Sequence, residues 1–141
     1  MQPEENKTVV RRFLEEIFTA GNLELVDELF APDYVLHDPV LPDEVSGPEG
    51  MKRYVSMYRA AYPDTHFTIE DQIAEGDNVV TRWTGQGTHR GELMGIPPTG
   101  ARVTVTGIEL DLIVDGKLRE THVIYDAMSM MQQLGVIPEG G

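Results

Sequence analysis

The chain has no cysteine, which excludes disulfides, thiol nucleophiles and thiolate metal ligands and leaves its redox compartment open. Basic residues are scarce. Eleven Lys and Arg stand against 24 Asp and Glu, a formal charge of −13, and so acidic a chain is a poor partner for nucleic-acid phosphates or an anionic membrane surface. No apolar run approaches the roughly 18 residues of a membrane span. The first eight residues are polar, with two glutamates, and lack the apolar segment of a secretory signal. Gly-rich phosphate loops, a Ser-His-Asp order, internal repeats and low-complexity runs are also missing. These absences predict a soluble, cytoplasmic protein that binds neither nucleic acid nor membrane. The length of 141 residues suits one domain, residues 1–141, large enough to bury a core of its own.

What is present falls in a clear order. Val10, Phe13, Leu14, Ile17 and Phe18 recur at helical spacing, and Gly21 supplies a stop. Asn22 can cap a second helix with Val26, Leu29 and Phe30 on its apolar face, ended by Pro32. An irregular segment rich in Pro and Asp follows. Gly47-Pro48-Glu49 then opens a third helix carrying Met51, Tyr54, Val55, Tyr58, Ala61 and Tyr62 on one stripe. From Thr65 the period changes to two, with strands expected through Ile73, from about Val79 to His89 and from about Arg102 to Val114. Asp115-Gly116 is a two-residue hairpin turn. The strand after it delivers Asp126, where a last helix begins with Ala127, Met130, Met131 and Leu134 on one face. Helices first and antiparallel strands after predict an α+β fold, with a curved sheet wrapped around helices and a conical cavity between them.

Two chemistries compete at Asp126. A carboxylate at a sheet end can serve as an acid/base, and the same residue before a helix is a preferred N-cap. Among the histidines, His37, His89 and His122 are candidates to orient such a carboxylate or to carry a proton. His66, on the polar side of its strand, is not. No His spacing of a metal-binding helix occurs, so no metal and no cofactor are expected. Trp83 is placed facing inward. Tyr34, Tyr54, Tyr58 and the methionines either line an adaptable pocket or form a plain core stripe. Met94 belongs to this set, in the loop 92–98, which can cover a pocket or make an edge contact. Alternation puts Glu109 and Asp111 opposite Ile108, Leu110 and Leu112, and therefore on the outer face of the sheet.

The chain resembles a known family. Tyr34-Val35-Leu36-His37-Asp38-Pro39, Ala61-Tyr62-Pro63-Asp64, Glu75-Gly76-Asp77 and Thr81-Arg82-Trp83-Thr84 carry the resemblance. So do the run from Gly87 to Gly100, then Asp115-Gly116-Lys117, Asp126 and Gln133-Leu134-Gly135. In this order they are similar to the SnoaL-like polyketide cyclase (ester cyclase) group of the nuclear transport factor 2-like superfamily. The resemblance implies a small-molecule enzyme of the polyketide-cyclase type. Its reaction would be a cofactor-free, acid/base-catalysed intramolecular aldol-type cyclisation, or a related isomerisation, of an apolar ketone or ester. It also implies Asp126 as acid/base, a small apolar or aromatic ligand, and a homodimer paired through the outer face of the sheet. One fold hosts many functions. A non-catalytic ligand-binding or dimerisation module and an epoxide-hydrolase-like enzyme, which needs an Arg between two acids, therefore stand as alternatives.

Overall fold

The computed structural model describes residues 3–137. Helix α1 (Pro3–Arg12) runs on without a break into a wider π-helical stretch, Phe13–Thr19. The expected apolar stripe Val10, Phe13, Leu14, Ile17 and Phe18 is buried along this stretch. Gly21, at φ 79°, donates its N–H to the carbonyl of Ile17 and turns the chain away. Three further helices follow: α2 (Leu25–Leu29), α3 (Gly47–Ala61) and α4 (Ala127–Gln133). Pro48 lies in the first turn of α3, as its fixed φ favours. None of these helices is long and apolar enough to cross a membrane.

Six strands form one curved, unclosed sheet. They are β1 (Phe30–His37), β2 (Val45–Ser46), β3 (His66–Glu75), β4 (Asn78–Thr88), β5 (Arg102–Val114) and β6 (Lys117–Tyr125). The order across the sheet is β2-β1-β6-β5-β4-β3. Every pair is antiparallel except β1 with β6. Val114 and Lys117 pair across the Asp115-Gly116 turn, whose φ angles of 52° and 77° are the positive values that a two-residue hairpin demands. The helical stretch 3–19, α3 and the concave face of the sheet enclose the main core, built on Phe13, Phe18, Phe30, Tyr34, Met51 and Val123.

Three sequence expectations are corrected. Helix α2 is a short one preceded by Glu24, not capped by Asn22. Pro32 does not end a helix but sits inside β1, a strand that the sequence concealed. There β1 and β6 pair at Phe30 and again only from Val35, so the missing N–H of Pro32 falls where the ladder is interrupted. The third correction concerns faces. Glu109 and Asp111 point into the concave side and are buried, while Ile108 and Leu110 are exposed on the convex side. The usual rule that apolar residues face inward is inverted along this part of β5. Glu109 lines a cavity, and Asp111 is buried next to it on the same face. The aliphatic side chains join Ile73, Val80 and Ile124 in an uncovered patch across four neighbouring strands.

Candidate active site

A cavity of about 100 Å³ opens between the helices and the concave face of the sheet. Each wall follows from a local rule. The π-helical stretch contributes Phe13, Leu14 and Phe18; the wider turn puts four of its seven residues into the core. Tyr54 and Tyr58 are one helical turn apart on α3 and so share a face. Strand alternation brings Trp83 from β4, Val103, Val105 and Glu109 from β5, and Thr121, Val123 and Tyr125 from β6 to the same side. Met130 of α4 and Tyr62 after α3 complete the wall.

The polar groups in this apolar setting are few, and their arrangement is definite. The hydroxyl of Thr121 donates to Asp111 Oδ1 at 2.5 Å. Glu109, two residues before Asp111 on the same face, keeps its Oε2 buried without a hydrogen bond of regular geometry. Trp83 and Asp111 nevertheless lie close enough to act on its charge. Desolvation, reinforced by the Asp111 carboxyl, pushes Glu109 well above the usual carboxylate range. Burial also raises Asp111, but contacts from Glu109 and Thr121 oppose the rise. Burial and the closeness of the two carboxyls thus disfavour a doubly ionised pair, and a proton is shared between them.

Four phenols line the same cavity. The Tyr58 and Tyr125 hydroxyls are 3.0 Å apart. Tyr54 donates to Asp38 Oδ2 at 2.9 Å, and the other oxygen of Asp38 accepts from the Val40 amide at 3.0 Å. Burial raises all four, Tyr62 and Tyr125 to about 12 and Tyr54 and Tyr58 further. They are neutral donors in the working range. The hydroxyl of Tyr62 is buried at the cavity wall without a partner, which leaves one donor free for a ligand oxygen.

The shared proton has a consequence for stability. A carboxyl whose pKa is higher in the folded state stabilises the fold fully below its unfolded pKa, about 4.3, and this contribution is lost as pH rises through the folded value. Glu109→Gln cannot ionise and escapes that loss. Its melting temperature relative to the parent should rise as the pH climbs above the unfolded value of about 4.3 and through the raised folded one. Parallel thermal scans check it, and a flat difference would mean that Glu109 is not held protonated by its surroundings.

The residues singled out in the sequence are distributed as follows. Trp83, Tyr54 and Tyr58 line the cavity. Tyr34 is fully buried beside it, its ring 4.6 Å from that of Phe30. Met94 is exposed at φ 47° in the loop after β4 and does not line the cavity. Asp126 is exposed and caps α4, accepting from the Ser129 amide at 3.0 Å. The expectation that it reaches the cavity is therefore corrected: the strand ends at Tyr125, and the next residue turns out to start the helix. His37 and His122 project from the convex side, stacked 4.3 Å apart, and cannot orient a cavity carboxylate. His89 is buried behind Tyr62. Its Nδ1 accepts from the Thr99 amide, and its Nε2 is buried without a partner. Glu109 and Asp111 are what sequence reasoning misplaced. The signal was available in Glu109-Leu110-Asp111-Leu112, where either face could have been the inner one.

Residues 8–134 match the family model of the SnoaL-like polyketide cyclase. The chain belongs to the SnoaL-like polyketide cyclase family. It is 33% identical over 120 residues to nogalonic acid methyl ester cyclase of Streptomyces nogalater, an alignment covering 84% of this chain and 89% of that protein. Aklanonic acid methyl ester cyclase DnrD of Streptomyces peucetius is 31% identical, with 94% of each chain covered. Among solved structures, a SnoaL-like protein from Jannaschia sp. CCS1 superposes with a TM-score of 0.88 at 25% identity, covering 96% of this chain and 95% of that one.

Proposed function

We propose that this protein is a polyketide cyclase that closes a ring by intramolecular aldol addition in an apolar ketone or ester substrate, with Glu109 as the acid/base. The observation that carries the reading is Glu109, buried at the wall of a largely apolar cavity with a partnerless carboxyl oxygen and backed by Asp111. The reacting carbon acid lies between carbonyl groups. As its proton passes to Glu109, the proton already on Glu109 moves to Asp111, and an enolate forms. The enolate carbon attacks a second carbonyl of the same molecule. The resulting alkoxide is protonated by Glu109, which recovers its proton from Asp111. Tyr62, with its free hydroxyl, donates to the enolate oxygen. The dry wall matters because an exposed carboxylate is too weak a base for a carbon acid.

The methyl esters named for the relatives are the substrates to try first. Intramolecular addition conserves mass, so the expected product is an isomer with a new chromatographic retention and an unchanged mass. Saturable binding without any isomer would return the protein to the ligand-binding alternative. The epoxide-hydrolase reading lacks its cation. No Arg or Lys is among the residues lining the cavity, and Arg82 faces outward onto Asp71.

The proposal includes a homodimer paired through the convex face, supported by the exposed patch of Ile73, Val80, Ile108, Leu110 and Ile124. Sedimentation should give twice the chain mass at micromolar concentration, and Ile108→Glu should give the monomer. A parent protein that sediments as a monomer would remove this part. It also includes a cytoplasmic location, which recovery of the protein from the culture medium would contradict.

A further inference from the structure

On the convex face, away from the cavity, three metal-ligating side chains converge. His37 and His122 are direct neighbours across the parallel β1–β6 pair, and Glu120 lies two residues before His122 on the same face. One ligand atom from each of the three falls within 4.8 Å of the others. His37 Nε2 is 2.8 Å from Glu120 Oε2, and His122 Nε2 is 3.7 Å from that same oxygen. Donor atoms at zinc bond lengths of about 2.0–2.1 Å in a tetrahedron are about 3.4 Å apart. The two distances bracket that value.

The ring of His37 adds a second, independent observation. Its Nδ1 faces Glu44 Oε2 at 2.9 Å while its Nε2 faces Glu120. A neutral imidazole has one N–H, so it can donate to only one of two carboxylates. With the hydrogen on Nδ1 toward Glu44, the Nε2 lone pair faces the Glu120 carboxylate, a clash that a cation shared by the two atoms relieves. Carboxylate to Nδ1–H, with Nε2 left to the metal, is the outer-shell arrangement that fixes histidine ligands elsewhere. The other candidate cation is a proton.

We propose that His37, Glu120 and His122 bind a divalent transition metal of the zinc class, with Glu44 as the positioning residue of His37. Two imidazoles and one carboxylate suit zinc better than calcium or magnesium, which take oxygen ligands. The site is half-exposed, so water completes the coordination. The exposed His122 ring must rotate out of its stack on His37 to bring its Nε2 lone pair onto the shared ion. The bound ion clips β1, and through Glu44 the segment before β2, onto β6 at the parallel seam of the sheet. Sequence spacing could not reveal this site, because its ligands lie 83 residues apart on two strands.

Calorimetric titration of the untagged, chelator-treated full chain with zinc chloride is the test. One zinc per chain is expected, retained in excess calcium and magnesium. His122→Ala should abolish it, and Glu44→Gln should weaken it about 10–100-fold. His66→Ala, at a distant exposed histidine, should bind as the parent does. Circular dichroism checks that each variant is folded, and the visible spectrum of the cobalt(II) form reports nitrogen ligation independently of the variants. Absence of zinc binding would overturn the site. So would displacement by calcium, or binding undiminished in His37→Ala and His122→Ala.

Discussion

Turnover in Glu109→Gln is expected to fall by about 10²–10⁴-fold, the range that positioned proton transfer supplies, while ligand affinity stays close to that of the parent. Glutamine preserves the shape of the side chain but can neither accept the carbon-bound proton nor return it to the alkoxide. Removing the acid should relieve rather than strain the fold, because two buried carboxyls compete there for one proton. Asp126→Ala is the matching control. It removes the side-chain acceptor of the Ser129 amide, at a cost of about 1 kcal/mol in stability, and should leave turnover at the parent level. Single-turnover measurements on both variants decide between the two carboxylates. If Asp126→Ala abolished the reaction and Glu109→Gln retained more than about a tenth of it, the acid/base role would return to the sheet end.

The sequence made the order of elements legible because punctuation residues act locally. Gly21 and Pro48 act through their own φ angles, and the Asp115-Gly116 turn needs only two residues to set the register of Val114 on Lys117. Strand β5 was legible to its ends, Arg102 and Val114, since period-two alternation over thirteen residues has no helical competitor. Its facing was not. Alternation shows which residues share a side, and the choice of inner side rested on putting Ile108 and Leu110 in the core. That choice fails where the inner face carries the chemistry and the outer face carries an apolar patch. Strand β1 was hidden for a different reason: Pro32 and Asp33 interrupt its pattern, and its partner β6 lies more than eighty residues later in the chain. The cavity tyrosines of α3 were visible as a helical stripe, and only tertiary packing distinguishes a stripe that fills a core from one that borders a space. Asp126 was misplaced by a single residue of strand, because the sheet ends at Tyr125 and the side chain is spent on the helix.

Gly107→Ala is expected to destabilise the fold by about 1–3 kcal/mol, the usual cost of forcing extra atoms into a packed core. A Cβ at Gly107 would come within 2.3 Å of Trp83 Cζ2. That ring packs edge-on against Phe67, with centroids 5.0 Å apart, and lies 6.5 Å from Tyr125, so displacing it disturbs both contacts. Glycine is thus needed here for the close approach of the indole, which lies over the middle of β5 and brings Nε1 toward Glu109. Trp83→Ala should cost more, about 3–5 kcal/mol, a large part of the 5–15 kcal/mol that holds an ordinary domain together. The two effects should not add. With the indole gone, the methyl group introduced by Gly107→Ala meets open space instead of a ring, and the second substitution becomes nearly neutral. Denaturant unfolding of the parent, both single variants and the double variant gives the coupling energy directly. A coupling of at least about 1 kcal/mol is expected. Strict additivity would mean that Gly107 is tolerant of a side chain and that Trp83 is positioned by something other than the bare backbone beneath it.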